Sequence, residues 1–177
     1  MARLDPYTPT PAARAGRIVM TVVPFAVALV LVFLSFLPIG RIFGSSVMPA
    51  FAFIAIYYWA VARPELLPPM AVFAIGLIFD LLSAGPIGLW AFVYLFAYAL
   101  TVTQRFFLIN APFSVFWIGF GAVAGIAGLV AWAAASLFFG QALAISPILW
   151  HMGMTVALFP LVAVVLTRIQ ARVLPGT

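Results

Sequence analysis

Six long apolar runs constrain this chain more than any motif does: Ile18–Leu37, Val47–Ala62, Leu67–Leu82, Gly88–Thr103, Phe113–Phe139 and Pro147–Thr167. A hydrocarbon core of about 30 Å is crossed by roughly 20 apolar residues in a helix. Only 6% of the residues are charged, against about 25% in a soluble domain, so a soluble fold is excluded. Three of the runs are 16 residues long, which at about 1.5 Å per residue reaches only about 24 Å. Those spans need extended flanks or a locally thinned bilayer. The fifth run, 27 residues, must tilt or protrude. The ten-residue alternation of a membrane barrel strand is missing. The expectation is an all-α membrane protein with six transmembrane helices in one bundle.

The basic residues orient it. All eight are arginine, and arginines gather on the cytoplasmic side. With the N-terminus inside, Arg3, Arg14, Arg17, Arg63, Arg105, Arg168 and Arg172 are cytoplasmic and Arg41 alone lies outside. The opposite orientation inverts that split. Residues 1–17, with Pro6, Pro9 and Pro11, read as a flexible cytosolic arm; 18–167 form the transmembrane domain and 168–177 a short cytosolic tail. The first run is longer than the apolar stretch of a signal peptide and no A-x-A-like site follows it, so it reads as a mature helix. Trp59, Trp90, Trp117 and Trp150 fall near span ends, where amphipathic rings settle, and Trp132 is expected to pack internally.

The inventory for chemistry is poor. There is no cysteine, hence no thiolate nucleophile and no sulfur-ligated metal. One histidine, His151, cannot build a multi-histidine site. The net charge of +5 reads as an insertion signal and an attraction to anionic lipid, without the basic patch a nucleic acid needs. No catalytic, cofactor-binding or metal-binding residue is assigned. A triad of Ser83, His151 and Asp80 is conceivable, but no elbow motif supports it.

Asp80 is the anomaly, in Gly76-Leu77-Ile78-Phe79-Asp80-Leu81-Leu82-Ser83-Ala84-Gly85-Pro86-Ile87-Gly88. A carboxylate at a span's centre costs roughly 2.5–3.5 kcal/mol; this one is near the end but still needs a partner. Arg41, His151 and the free amides at the start of the fourth span are the candidates. Gly85 and Pro86 allow a tight reversal that brings Gly88 back beside the carboxylate. The residues favour a structural staple, made with Ser83, over a proton or ion site. Gly121, Gly125 and Gly128 in the fifth span are spaced as small residues are where helix backbones approach closely. They are a candidate helix-docking face, or packing within the bundle. Arg63 and Glu65 sit in a proline-rich turn that ends one span and starts the next.

The stretch from Met48 to Gln104, with Pro49, Tyr58-Trp59, Gly76-x-x-x-Asp80-Leu81-Leu82-Ser83 and Gly88, resembles the rod shape-determining protein MreD family. One departure is Ala84, where a glycine directly after the serine is expected; Gly85 follows one place later. The resemblance implies a non-catalytic scaffold of the bacterial inner membrane, without a cofactor, in the machinery that elongates the cell wall. It implies an MreC-like membrane protein as partner, and indirectly MreB filaments, a RodA-like glycosyltransferase and its transpeptidase. It implies a bundle similar to the substrate-binding subunits of energy-coupling-factor transporters. The alternative is therefore a small-molecule-binding subunit of such a vitamin transporter. That reading needs a pocket with convergent polar groups, for which the outer side offers Arg41, Ser45, Ser46, Asp80, Ser83, Gln141, Ser146 and His151.

Overall fold

A computed structural model describes residues 11–37, 49–83 and 85–173; among them every regular element is helical. In chain order these are α1 (Pro11–Ser35), α2 (Phe51–Ala62), a 3₁₀ turn (Pro64–Leu66), α3 (Pro69–Ser83), α4 (Leu89–Thr103), the single turn α5 (Arg105–Leu108), α6 (Phe113–Phe139) and α7 (Ser146–Val173). Arg41 lies outside the described residues.

The helix ends follow local chemistry. α1 begins at Pro11 rather than Ile18, so the part of the expected flexible arm from Pro11 onward is helical. A proline suits a first helical position, and the Ala12-Ala13-Arg14-Ala15 that follows is strongly helix-forming. α7 likewise runs past Thr167 to Val173, so the expected tail is helical as far as it is described. Arg63, directly before Pro64, is extended at φ −154°, as the ring of a following proline demands, and α2 stops there. α6 ends at Gly140 with φ +65°. There the N–H of Gln141 reaches back to the Ser136 carbonyl at 3.2 Å and that of Gly140 to Leu137 at 3.3 Å, a glycine-terminated C-cap.

α2 is the axis of the bundle. Its residues are apolar on every side, the pattern of a helix buried all round, and each from Phe51 to Val61 is buried. It packs against α1, α4 and α7, while α1–α3–α4–α6–α7 are neighbours in that order around it. Aromatic rings fill the space between: Tyr57 of α2 lies 5.1 Å from Phe120 of α6, which stacks on Phe159 of α7 at 4.3 Å. Each such pair contributes about 0.5–1.5 kcal/mol beyond the area it buries. Gly119 makes room for this cluster, since a Cβ there would stand 2.9 Å from the Tyr57 hydroxyl. Trp59 is part of this interior and fully buried. Its ring, near a span end in the sequence, faces other side chains, because α2 itself has no outer face.

Outward, the ring helices present Val30, Phe33, Met70, Leu81, Ile118 and Leu161, all more than half exposed. An apolar exterior around an apolar core is what a lipid solvent permits. α6 and α7 are each long and apolar enough to cross a membrane; α2, α3 and α4 are shorter apolar helices. The twelve residues of α2 cover only about 18 Å.

The two ends of the bundle differ in charge. Arg105 Nε donates to the Val61 carbonyl at 3.0 Å, and the Tyr58 hydroxyl donates to Gln170 Oε1 at 2.7 Å. Those bonds gather the C-terminal ends of α2 and α7 with α5, so Arg63, Arg105, Arg168 and Arg172 share one end. Asp80 and His151 lie at the other.

Candidate functional site

The α3–α4 hairpin is the most specific construction in the molecule. Gly76 and Asp80 are one helical turn apart and share the face of α3 turned to α4. Gly76 sets the distance: a Cβ there would lie 2.4 Å from the Ala91 Cα and 2.8 Å from its nitrogen. Only a glycine lets the two backbones approach so closely. One turn on, the Asp80 side chain, 1% exposed, meets the first turn of α4. Its Oδ2 accepts from the Gly88 and Ala91 amides at 2.9 and 3.1 Å, and its Oδ1 from the Trp90 amide at 2.9 Å.

The first amides of a helix have no partner within it, and its positive end favours an anion. An N-cap side chain ordinarily comes from the residue just before the helix. Here it comes from the preceding helix, and Gly88 makes that possible. Gly88 stands at φ +96° with open space where a Cβ would be, so the conformation, not crowding, calls for glycine. The turn is closed by the Leu89 amide donating to the Pro86 carbonyl at 3.2 Å, and Gly85 precedes it as an exposed residue. The Ser83 hydroxyl donates to the backbone carbonyl of Asp80 at 3.1 Å, tying off the last turn of α3.

Of the three partners considered for Asp80, the structure supplies the amides around Gly88. His151 reaches the same turn through its ring, which lies 5.3 Å from that of Trp90. Trp90 in turn packs on Phe79 at 5.3 Å. The Ser83 hydroxyl and the Asp80 carboxylate are thus both turned to backbone groups, and the conceivable triad with His151 is not assembled.

Two further residues do comparable work at the start of α2, and the sequence reading did not single them out. The Ala50 amide donates to Thr155 Oγ1 of α7 at 2.9 Å. The Phe51 amide donates to Ser35 Oγ of α1 at 3.0 Å. Both hydroxyls donate one turn back, Thr155 to His151 O and Ser35 to Leu31 O. The available signal was the isolation of each hydroxyl in an apolar run; nothing in the sequence says which helix start it meets.

The glycines of α6 do not form one open face. Gly128 is buried against Met152 of α7, whose Cγ would be 3.0 Å from an added Cβ, and Gly121 adjoins Val156 of α7 at 3.7 Å. Gly125 is open, with nothing within 4 Å of an added Cβ. The Ala124–Gly128 pair is used inside the bundle, both residues being buried.

Among the described residues no three of His, Asp and Glu come together as metal ligands would. Of the cavities that open at the bundle's surface, two lie at its opposite ends. One, about 530 Å³, lies between Trp90, Trp132 and His151 at the end where Asp80 sits. The other, about 560 Å³, lies at the arginine-rich end between Tyr58, Phe116 and Arg168.

Neither a curated protein nor a solved structure matches the chain. The sequence pattern of one family does, over residues 13–169, far beyond the stretch that carried the resemblance and including α6 and α7. That match takes in the Gly76–Asp80 clamp, the capped start of α2 and nearly all of the bundle: the chain is a membrane protein belonging to the rod shape-determining protein MreD family.

Proposed function

We propose that the protein is a non-catalytic scaffold of the inner membrane that maintains rod cell shape by binding an MreC-like partner within the cell-wall elongation machinery. Through that partner it meets MreB filaments, a RodA-like glycosyltransferase and its transpeptidase. The observation that carries the non-catalytic part is the use made of the buried polar side chains. Ser35, Asp80 and Thr155 accept from backbone amides at the start of another helix, and Thr101 donates to a carbonyl of its own helix, so these groups serve the backbone rather than face a substrate. Affinity purification from native membranes tests the reading. An MreC-like single-pass protein should co-elute; a transporter ATPase in its place would overturn the reading in favour of vitamin transport. The likeness to energy-coupling-factor subunits is carried by the resemblance alone, and the family match adds nothing to the transport alternative.

The proposed topology is six spans, α1, α2, α3, α4, α6 and α7, with both termini in the cytosol. The gathering of arginines at one end supports it. A reporter fused at residue 177 should give a cytosolic signal, and a periplasmic one would remove the six-span arrangement. For the docking surface, the open Gly125 is the member of the proposed face that a partner helix can reach. Gly125→Leu should weaken partner binding while the protein stays inserted; unchanged binding would move the search to the exposed side of α1 or the Arg63–Pro69 turn.

A further inference from the structure

The cavity at the arginine-rich end has a composition that selects its occupant. Its walls include Leu108, Phe113, Phe116 and Val164, and Arg168 is the single charged residue lining it. Its volume of about 560 Å³ falls within the roughly 300–1,000 Å³ of small-molecule pockets. Ile109, Phe113 and Val164 are about half exposed, so the cavity opens on the bundle's flank, towards hydrocarbon. Arg168 stands exposed on α7, where the apolar part of that helix ends.

The other polar groups of the rim are already engaged. The Tyr58 hydroxyl lies 2.7 Å from Gln170 Oε1 and 3.2 Å from Thr167 Oγ1, and Thr167 donates to the Ala163 carbonyl at 2.8 Å. A peptide entering here would leave its amides without acceptors, which a hydrocarbon environment penalises heavily. An acyl chain makes no such demand, and its headgroup would reach Arg168. The charge at the cavity is one-sided: Arg168 lines it, Arg105 bonds to the carbonyl of the lining residue Val61, and basic pockets between helices take anionic headgroups.

We propose that this cavity seats an anionic phospholipid, with an acyl chain between α6 and α7 and the phosphate held by Arg168. The inference rests on the membrane reading and is independent of the partner.

The test uses the full chain in detergent with equal amounts of phosphatidylglycerol and phosphatidylcholine of identical chains, and native mass spectrometry counts the lipid retained. The wild type should retain phosphatidylglycerol in preference. Arg168→Gln, at an exposed position, should lower that preference about fivefold. Arg172→Gln carries the same charge change outside the cavity and should leave it intact. Val164→Trp, at a half-exposed position, should block entry and reduce retention of both lipids. Equal retention by the wild type, an Arg172→Gln loss matching that of Arg168→Gln, or a Val164→Trp variant that retains lipid normally would each overturn the proposal. So would a retained peptide in place of lipid. None of these outcomes touches the topology or the scaffold reading, which the reporter fusion and co-purification decide separately.

Discussion

Replacing Asp80 separates a structural carboxylate from an incidental one. Asp80→Leu removes the acceptor of three amides at once, those of Gly88, Trp90 and Ala91. The Gly88 and Trp90 bonds are partly buried and that of Ala91 is buried. At about 1–3 kcal/mol for a buried donor left unpaired and about half that for each of the partly buried ones, the loss is about 2–6 kcal/mol. Asp80→Asn behaves differently. Its carbonyl oxygen can take the place of Oδ2 and keep the Gly88 and Ala91 bonds, while its NH₂ turns towards the Trp90 amide and one bond is lost. That substitution should cost about 1–3 kcal/mol. Equilibrium unfolding in mixed micelles, followed by tryptophan fluorescence, reads both variants. The order wild type, Asn, Leu is expected. A Leu variant as stable as the Asn variant would show that the three hydrogen bonds contribute nothing to the hairpin, and the clamp would lose its basis.

Gly76→Ala should destabilise strongly, because its methyl would stand 2.4 Å from the Ala91 backbone and the two helices would have to part. Gly125→Ala, in open space, should be neutral or gain up to about 1 kcal/mol from helix propensity; thermal melting of the pair in one detergent checks the contrast. Ser35→Ala and Thr155→Val each orphan one amide at the start of α2. Each should cost about 1–3 kcal/mol, and a double-mutant cycle should show coupling, since both act on the same helix end; strict additivity would refute a shared role.

Much of the bundle was legible in the sequence because apolar length and arginine placement are strong signals in lipid. Asp80 near the end of an apolar run, with Gly85 and Pro86 after it, pointed to the hairpin, and the proline before α3 and glycine before α4 marked its boundaries. The central position of α2 was not legible. In a soluble protein a helix apolar on all sides is a core helix, but in a bilayer a lipid-facing helix looks the same, so Phe51–Val61 carried no mark of enclosure. The burial of Trp59 was hidden for that reason. The glycines of α6 were ambiguous on similar grounds: spacing shows that a backbone can be approached, not by whom. Gly128 is taken by Met152 of α7 while Gly125 is left open, and only the three-dimensional arrangement of α6 and α7 separates them.

The hydroxyl that receives the Ala50 amide lies 105 residues further along the chain. During synthesis, the start of α2 therefore emerges long before its acceptor exists. The same holds for Tyr58, whose hydroxyl meets Gln170, three residues before α7 ends. Until α7 has been translated, both ends of the central helix lack these partners. The nascent bundle thus stays open on one side, and its last helix is the one that locks it. A chain cut short before α7 would carry most of the apolar mass and the complete α3–α4 clamp, yet its axis would lack one of the three helices it packs against.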